Sequence, residues 1–256
     1  MEVHHHSHHG KKKWTEYFWE FFMLFLAVTL GFFVENQREH IVESKREKEY
    51  IRSMIEDLKL DTTGFSSDNS LRNTAINMYD STIILLNKEN RSEADQQRLY
   101  YLARMALRLS PFPVMHDKTF EQMKSSGNLR LVHDSKIADA ITNYYFNSKE
   151  FSLNVEQTLL RLQSLLEMHG KVFNATVLQE MITDKQQFLL SPPPGNAALM
   201  TEDKKILNEL AVSNHYVLSI LNYSKRFIGD LNKQAAELVM LLEKEYHLSE
   251  RTPTEK

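Results

Sequence analysis

The longest apolar run of the chain lies close to its N-terminus. Residues 21–34 read FFMLFLAVTLGFFV without a charge, and the eighteen residues from Tyr17 to Val34 carry one charge, at Glu20. At about 1.5 Å per residue, a helix of that length reaches roughly 27 Å, close to the bilayer core of about 30 Å. The pattern therefore predicts a transmembrane anchor over residues 14–34.

Lysines and aromatic rings mark the start of this run. Lys11–Lys13 come directly before the first tryptophan, and lipid headgroups select cations and amphipathic rings. The predicted anchor residues are Trp14, Tyr17, Trp19, Phe21, Phe22, Leu24, Phe25, Leu26, Val28, Leu30, Phe32, Phe33 and Val34.

Two other interpretations of the apolar run stay open beside the uncleaved anchor. A buried core helix can contain fourteen apolar residues, but it does not need six phenylalanines and two tryptophans on all sides. A cleaved signal peptide has a similar basic start, but residues 31–34 lack the small-x-small cleavage pattern. Ala27 and Gly31 are four apart and could seat a helix dimer.

Basic residues flank the run on both sides, so the orientation of the predicted span in the membrane depends on how close they lie to it. Lys11–Lys13 abut the aromatic entry, which favours a cytoplasmic N-terminus and a C-terminal domain outside the cytoplasmic membrane. A bare count favours the reverse, since the other flank carries Arg38, Lys45, Arg46, Lys48 and Arg52. Long domains translocate largely regardless of charge, so we expect the first orientation.

The charged stretch after the anchor predicts a juxtamembrane stalk helix over residues 35–60, because no Pro or Gly interrupts it. Five of eight heptad core positions are apolar, and the polar ones cluster in the middle. This favours a solvated stalk that packs from Ile51 onward over a parallel coiled coil. Asp61–Gly64 predicts a kink or break.

Helical periodicity then predicts a helical bundle domain over residues 61–248, followed by a disordered tail at 249–256. Predicted helix starts are Ser92 in a capping box, Asp117, Asp134 or Ser135, and Thr201. The predicted helices cover residues 71–86, 92–109, 118–125, 135–146, 151–170, 172–183 and 201–248, with a brief apolar connector at 129–132.

The last of these helices has the clearest apolar stripe, which predicts a central core helix. Its expected core positions alternate by four and three: Val217, Leu221, Ser224, Ile228, Leu231, Ala235, Leu238, Leu242 and Glu245.

Composition supports an all-α class: an N-terminal transmembrane helix continuing into a stalk helix, then a helical bundle. The chain has seven glycines in 256 residues, and hairpins depend on glycine for positive-φ turns. It has no cysteine, which excludes disulfides, thiolate metal sites and a cysteine nucleophile. The net charge of −3 and the lack of a stretch basic enough to bind nucleic acid argue against a nucleic-acid partner.

The chain offers no catalytic motif. No two glycines lie within twenty residues, which excludes glycine-rich phosphate cradles. His116-Asp117 and His133-Asp134 could belong to a metal hydrolase, but both pairs fall at predicted helix starts, where Asp is the expected cap. Tyr100, Tyr101 and the Tyr144–Phe146 run are expected in a core or an interface. We therefore predict no catalytic residue and no cofactor.

Five histidines near the N-terminus are the remaining candidate ligands. A tract of this kind can bind Zn²⁺, Cu²⁺ or Ni²⁺ loosely, although a flexible tail without a specific ligand is the simpler interpretation. The weak candidate metal site consists of His4, His5, His6, His8 and His9, within a cytoplasmic tail over residues 1–13.

Two blocks of the chain resemble an uncharacterised bacterial family of single-span membrane proteins. The first combines the His-rich start, FLAVTLGFFVEN and REKEYIRSMIEDLKLD, and the second is FEQMKSSGNLRLVHDSKIADAITNYY. The family is a domain of unknown function. The resemblance implies membrane placement and a helical outer domain, and it supplies no catalytic residues.

These observations favour a non-enzymatic, membrane-anchored interaction or scaffold module whose partners are the lipid bilayer and another protein or a second copy. One alternative is a ligand-sensing domain, which would need a partner in the membrane because its expected cytoplasmic part has about thirteen residues. A remote alternative is a metal-dependent hydrolase using His116 and His133.

Overall fold

The computed structural model describes residues 14–110, 113–184 and 189–248. The chain divides into two compact units, residues 1–50 and residues 51–256. Its helices are α1 (Trp14–Leu86), α2 (Glu93–Arg108), α3 (Lys118–Ser125), α4 (Ser135–Val172), α5 (Ala175–Glu180) and α6 (Lys204–Glu245), and its strands are β1 (Ile182–Asp184) and β2 (Leu189–Leu190). The all-α prediction is confirmed.

The described part of the first unit, from Trp14 onward, is the N-terminal part of α1. Its described side chains are exposed or half-buried as far as Tyr50, and the first buried side chain of the helix is Ile51. The buried part of α1 therefore begins at Ile51.

The hydrophobic core of the second unit lies between the remainder of α1 and helices α2, α4 and α6. Helices α4 and α6 lie antiparallel: Asn147 Nδ2 donates to Gln234 Oε1 at 2.8 Å, and the rings of Phe151 and Phe227 stack 5.4 Å apart. Among the fully buried residues of the core are Tyr79, Leu99, Leu165, Leu210 and Ala235.

The predicted core stripe of the last helix is confirmed at eight of its nine positions. The eight residues from Val217 to Leu242 in the predicted series are buried, and Glu245 is exposed at the end of α6. The N-cap of this helix is Asp203 rather than the predicted Thr201. Asp203 accepts a hydrogen bond from Lys205 N at 2.7 Å, and Thr201 Oγ1 accepts one from Asp203 N at 3.1 Å.

The break predicted at Asp61–Gly64 is wrong, because α1 continues to Leu86. The hydroxyls of Thr62 and Thr63 each donate to the carbonyl of Lys59 at 2.9 Å, a pattern that a helix interior tolerates. Asp61 and Phe65 are almost fully buried. Of the polar residues at this point, Asp61 faces the core, whereas Thr63 and Gly64 are exposed on the outer side of an unbroken helix.

The separate helices predicted over 135–146 and 151–170 are one helix, α4. The polar stretch between them lies against α6: Ser148 is buried, and Asn147 bonds Gln234. The helix predicted over 172–183 is also wrong in part. Asn174 accepts from Thr176 N at 2.9 Å and starts the short α5, after which β1 pairs antiparallel with β2.

Two shorter expectations have mixed outcomes. The capping box is confirmed, since Asp95 N donates to Ser92 Oγ at 3.2 Å and Ser92 N donates to Asp95 Oδ2 at 2.8 Å. The connector predicted over residues 129–132 is instead mostly a 3-10 helix, Asn128–Leu131, which follows Gly127 at φ +70°. A positive φ is available to glycine at low cost, so Gly127 suits this helix end.

Candidate functional site

The predicted anchor residues all lie on α1, with their side chains outside any core. Their exposed fractions run from 38% at Phe22 to 84% at Trp14. One helix in the described part of the chain, α1, is long and apolar enough to cross a membrane, and its most apolar window has a mean hydropathy of 1.9 with none of it buried. A buried core helix would pack most of these side chains, so that interpretation does not fit.

The contacts within this segment are local. Phe18 stacks on Phe22 and Phe21 stacks on Phe25, each pair 6.3 Å apart, at the helical spacing of four residues. Thr29 Oγ1 donates to the carbonyl of Phe25 at 2.8 Å, which pairs the hydroxyl within the helix. A lipid environment requires this internal pairing of polar groups.

An ion pair lies just beyond the predicted span. Arg38 Nη2 is 2.5 Å from Glu35 Oε1, and the arginine Nε donates to both carboxylate oxygens. Their hydrogen bonds and opposite charges lower the pKa of Glu35 and raise the pKa of Arg38. Both groups are fully exposed, so the pair contributes little stability.

The bundle contains a buried polar centre around Asp61 on α1. Its Oδ1 accepts from the backbone N of His116 at 2.9 Å and lies 2.8 Å from His116 Nδ1. Its Oδ2 accepts from the hydroxyl of Tyr144 at 2.6 Å. The Asp61 side chain is 1% exposed, and the three hydrogen bonds compensate for the burial of its carboxylate.

A second carboxylate of α1 holds the start of α3. Asp57 Oδ2 accepts from Thr119 N at 3.1 Å, whereas Asp117, the predicted cap, makes no side-chain hydrogen bond to that helix end. Asp134 does cap α4, by accepting from Lys136 N at 2.8 Å. The aspartate of the His133-Asp134 pair therefore caps a helix as predicted. At the start of α3, Asp57 takes the role that was predicted for Asp117.

Two tyrosines close this centre from α4. Tyr144 and Tyr145 are buried with their rings 5.0 Å apart, and Tyr145 stacks on Phe120 at 4.3 Å. Burial, reinforced by the charge of Asp61, raises the pKa of Tyr144. Burial and the nearby charges of Asp57, Asp61 and Asp117 raise the pKa of Tyr145, so both phenols stay protonated.

A third aromatic, Tyr100 on α2, joins two loops. Its hydroxyl accepts from Asn174 N at 2.8 Å and donates to the carbonyl of Ala198 at 3.0 Å, and its ring lies edge-on to Phe173. The core prediction is confirmed for Tyr100, Tyr144 and Tyr145. Tyr101 is half-buried, and Phe146 is 60% exposed.

The chemistry of the Asp61 centre is that of a structural tie. A His–carboxylate pair can orient a general base, but catalysis also requires a nucleophile or a metal in reach. Within residues 14–110, 113–184 and 189–248, no group of three or more His, Asp or Glu is arranged to hold a metal ion. The hydrolase hypothesis for His116 and His133 gains no support, and His4–His9 lie outside the described residues.

A small cavity near Arg72 is a further polar feature of the core. Its volume is about 10 Å³, which suits one water rather than a ligand. It is lined in part by Arg72, Ser110, Thr158 and Ser224. Burial lowers the pKa of Arg72 and raises the pKa of Asp68, one turn earlier on α1.

Comparison with known proteins adds no assignment to these sites. No protein-family model matches the chain, and neither a curated protein nor a solved structure matches it significantly.

Proposed function

We propose that the protein is a membrane-anchored interaction or scaffold module of a bacterial cytoplasmic membrane. An uncleaved span over residues 14–34 holds the chain in the bilayer, and the helical bundle lies on the extracytoplasmic side. The bundle acts by binding another protein rather than by catalysis.

One observation carries this proposal: the apolar window of α1 has none of its side chains buried. Exposing that much apolar surface to water would be costly, at roughly 25 cal/mol per Å². A bilayer removes the cost and accepts a helix of this length. Lys11–Lys13 next to Trp14 and Tyr17 support a cytoplasmic N-terminus.

The buried polar groups of the bundle favour binding over catalysis. The side chains of Asp61, Asp57 and Tyr144 form hydrogen bonds with other parts of the same chain. Groups committed in this way fix the positions of α1, α3 and α4, and a rigid bundle of this kind suits a docking surface.

Fractionation of cells that express the full chain tests the anchor. We expect the protein to remain in the membrane after alkaline extraction, and Leu26→Arg, near the middle of the span, to reduce that fraction, because an arginine there costs about 2.5–3.5 kcal/mol. Ile84→Arg is the control, since Ile84 is 62% exposed on α1 outside the span. Extraction of the unaltered protein into the soluble fraction would overturn the proposal.

Reporter fusions at each end of the chain test the orientation. We expect a periplasm-active reporter to work at the C-terminus and a cytoplasm-active reporter to work at the N-terminus. The reverse result would place the bundle in the cytoplasm.

A further inference from the structure

A pocket lies between α1 and the C-terminal end of α6, within the second unit. Its volume is about 510 Å³, and sites for small molecules occupy roughly 300–1,000 Å³. The charged side chains that line it are Arg52, Glu56 and Lys59 on α1 and Glu243 on α6. Two of these are cations and two are anions, so together they carry no net charge.

One cation and one anion of this set are joined across the pocket. Lys59 Nζ lies 2.8 Å from Glu243 Oε1, and this ion pair links α1 to α6. The side chains of Arg52 and Glu56 form no ion pair or hydrogen bond with any residue that the structure describes. They lie one helical turn apart on α1, at a spacing where opposite charges commonly pair. The pocket therefore presents a guanidinium and a carboxylate that are both available to a ligand.

Aliphatic side chains form another part of the pocket wall. Ile55 is buried in the bundle, and Leu248 is half-buried just after α6. The backbone holds Leu248 in place, because its N donates to the carbonyl of Glu243 at 2.9 Å. His247 N donates to the carbonyl of Lys244 at 3.3 Å, which completes the pattern of a Schellman helix end. An apolar group that enters the pocket therefore meets a preformed aliphatic surface.

His247 has a backbone conformation that favours glycine. Its φ is +51°, at the position of the helix end where glycine is the usual residue. A side chain in this left-handed region is unfavourable, and residues held in it cluster at functional sites. The imidazole of His247 is exposed and lines the pocket, where it adds a ring that can form hydrogen bonds. The helix end alone does not need this ring, whereas a ligand site can use it.

A ligand that carries both charges and an aliphatic group matches this arrangement. A guanidinium binds a carboxylate through two parallel hydrogen bonds, and a carboxylate accepts hydrogen bonds from an ammonium group. Both charged groups of an α-amino acid are attached to one carbon atom, and side chains one turn apart on a helix have Cβ atoms about 5–6 Å apart. Arg52 and Glu56 can therefore bind the two groups of one such molecule, while its side chain packs on Ile55 and Leu248. A ligand with a single charge would leave Arg52 or Glu56 without a partner.

We propose that the pocket between α1 and the end of α6 binds a free α-amino acid with an aliphatic side chain. Arg52 binds the carboxylate of the ligand, Glu56 binds its ammonium group, and His247 adds a hydrogen bond from the α6 side. The inference goes beyond the proposed function, because the ligand is a small molecule. The pocket belongs to the second unit alone, so the binding does not depend on the membrane span.

Equilibrium dialysis of the full chain in detergent against radiolabelled L-leucine tests the proposal. We expect saturable binding that unlabelled L-leucine displaces. L-Leucinamide lacks the carboxylate and 4-methylpentanoic acid lacks the ammonium group, so each should displace the label roughly tenfold less effectively or worse, as expected for a lost charge-assisted hydrogen bond. Absence of saturable binding, or displacement by either analogue as effective as that by L-leucine, would overturn the proposal.

Substitutions of the two available charges assign the binding to this pocket. Arg52→Ala and Glu56→Ala should each weaken the binding of L-leucine about tenfold or more, because each leaves one charge of the ligand without a partner. Both side chains are exposed, so the helical circular dichroism should not change. Arg226→Ala and Glu209→Ala are the matched controls, at exposed positions of α6 outside the pocket, and should bind L-leucine as the natural chain does. Full binding by Arg52→Ala would overturn the proposal.

Replacement of His247 separates a role in binding from a role in the helix end. His247→Gly relieves the left-handed backbone, so the variant should unfold at a higher temperature than the natural chain. The same variant should bind L-leucine more weakly, because it lacks the imidazole. Higher thermal stability together with unchanged binding would overturn the assignment of His247 to the site.

Discussion

The phenol of Tyr144 on α4 donates a 2.6 Å hydrogen bond to the carboxylate of Asp61 on α1, across 83 positions of the chain. The same carboxylate holds the backbone of His116, in the connection between α2 and α3. One buried residue therefore joins three separate parts of the bundle.

Replacement of Asp61 by alanine should destabilise the bundle strongly. Asp61→Ala leaves the His116 N–H and the Tyr144 hydroxyl buried without their acceptor, and we expect a loss of about 3 kcal/mol in the free energy of unfolding. Urea unfolding followed by circular dichroism measures it. Asp139→Ala on the exposed side of α4 is the control, with a change below about 0.5 kcal/mol. A loss of less than 1 kcal/mol for Asp61→Ala would mean that the tie is not needed.

The neighbouring tyrosines should respond oppositely to loss of the hydroxyl. Tyr144→Phe removes a hydrogen bond to a buried carboxylate and should cost about 1.5–3 kcal/mol. The hydroxyl of Tyr145 is buried and has no hydrogen-bond partner in the part of the chain that the structure describes. Tyr145→Phe should therefore be neutral or stabilising by up to about 1 kcal/mol. Thermal unfolding of the two variants side by side measures this difference. Equal losses of stability would show that the Tyr144 hydroxyl contributes no more than the Tyr145 hydroxyl.

The start of α3 should depend on Asp57 more than on Asp117. Asp57→Ala removes the acceptor for Thr119 N, and we expect a loss of about 1 kcal/mol, as for a helix cap. Asp117→Ala removes no side-chain hydrogen bond to the helix and should cost a few tenths of a kcal/mol through the helix dipole. Urea midpoints at equal m-value give the comparison. The reverse order would restore Asp117 as the cap.

Stability should fall on acidification because of His169. Burial lowers the pKa of His169 from 6.5 to about 4, and its Nε2 is buried without a hydrogen-bond partner among the described residues. The folded pKa lies below the unfolded one, so the unfolded chain binds the extra proton between pH 6.5 and pH 4. The free energy of unfolding should decrease across this window, by about 2 kcal/mol after allowance for the partial exposure of the residue.

His169→Phe should remove this contribution, because phenylalanine keeps a ring against Phe173 without a titrating group. Urea unfolding at several pH values should show a flatter profile for this variant. His215→Phe, at an exposed histidine, is the control and should keep the original slope. An unchanged slope in His169→Phe would assign the acid sensitivity to other groups.

Local patterns were predictable from the sequence where short-range physics decides. The capping box of Ser92 and Asp95 involves residues three apart, and the stripe of α6 follows from helical periodicity alone. The apolar run at residues 21–34 was predictable as a helix for the same reason. Such features need no knowledge of what lies against them.

The Asp61 centre was not predictable in this way. Asp61 precedes two threonines and a glycine, a composition typical of a break, and its burial depends on His116 and Tyr144, 55 and 83 residues away. Asn147 and Ser148 misled for the same reason, since contact with α6 makes their polar stretch internal. The sequence offered one signal here: the polar stretch at residues 147–150 is short and lies between two strongly helical segments, which is compatible with one continuous helix.

The distance between Asp61 and Tyr144 in the chain has a consequence for biosynthesis. A ribosome that adds 5–20 residues per second needs roughly 4–17 seconds to pass from one to the other. During that interval the carboxylate of Asp61 has no partner on α4, and His116 is the first of its two partner residues to be made. The hydrogen bond that joins α1 to α4 can therefore form only late in the synthesis of the bundle.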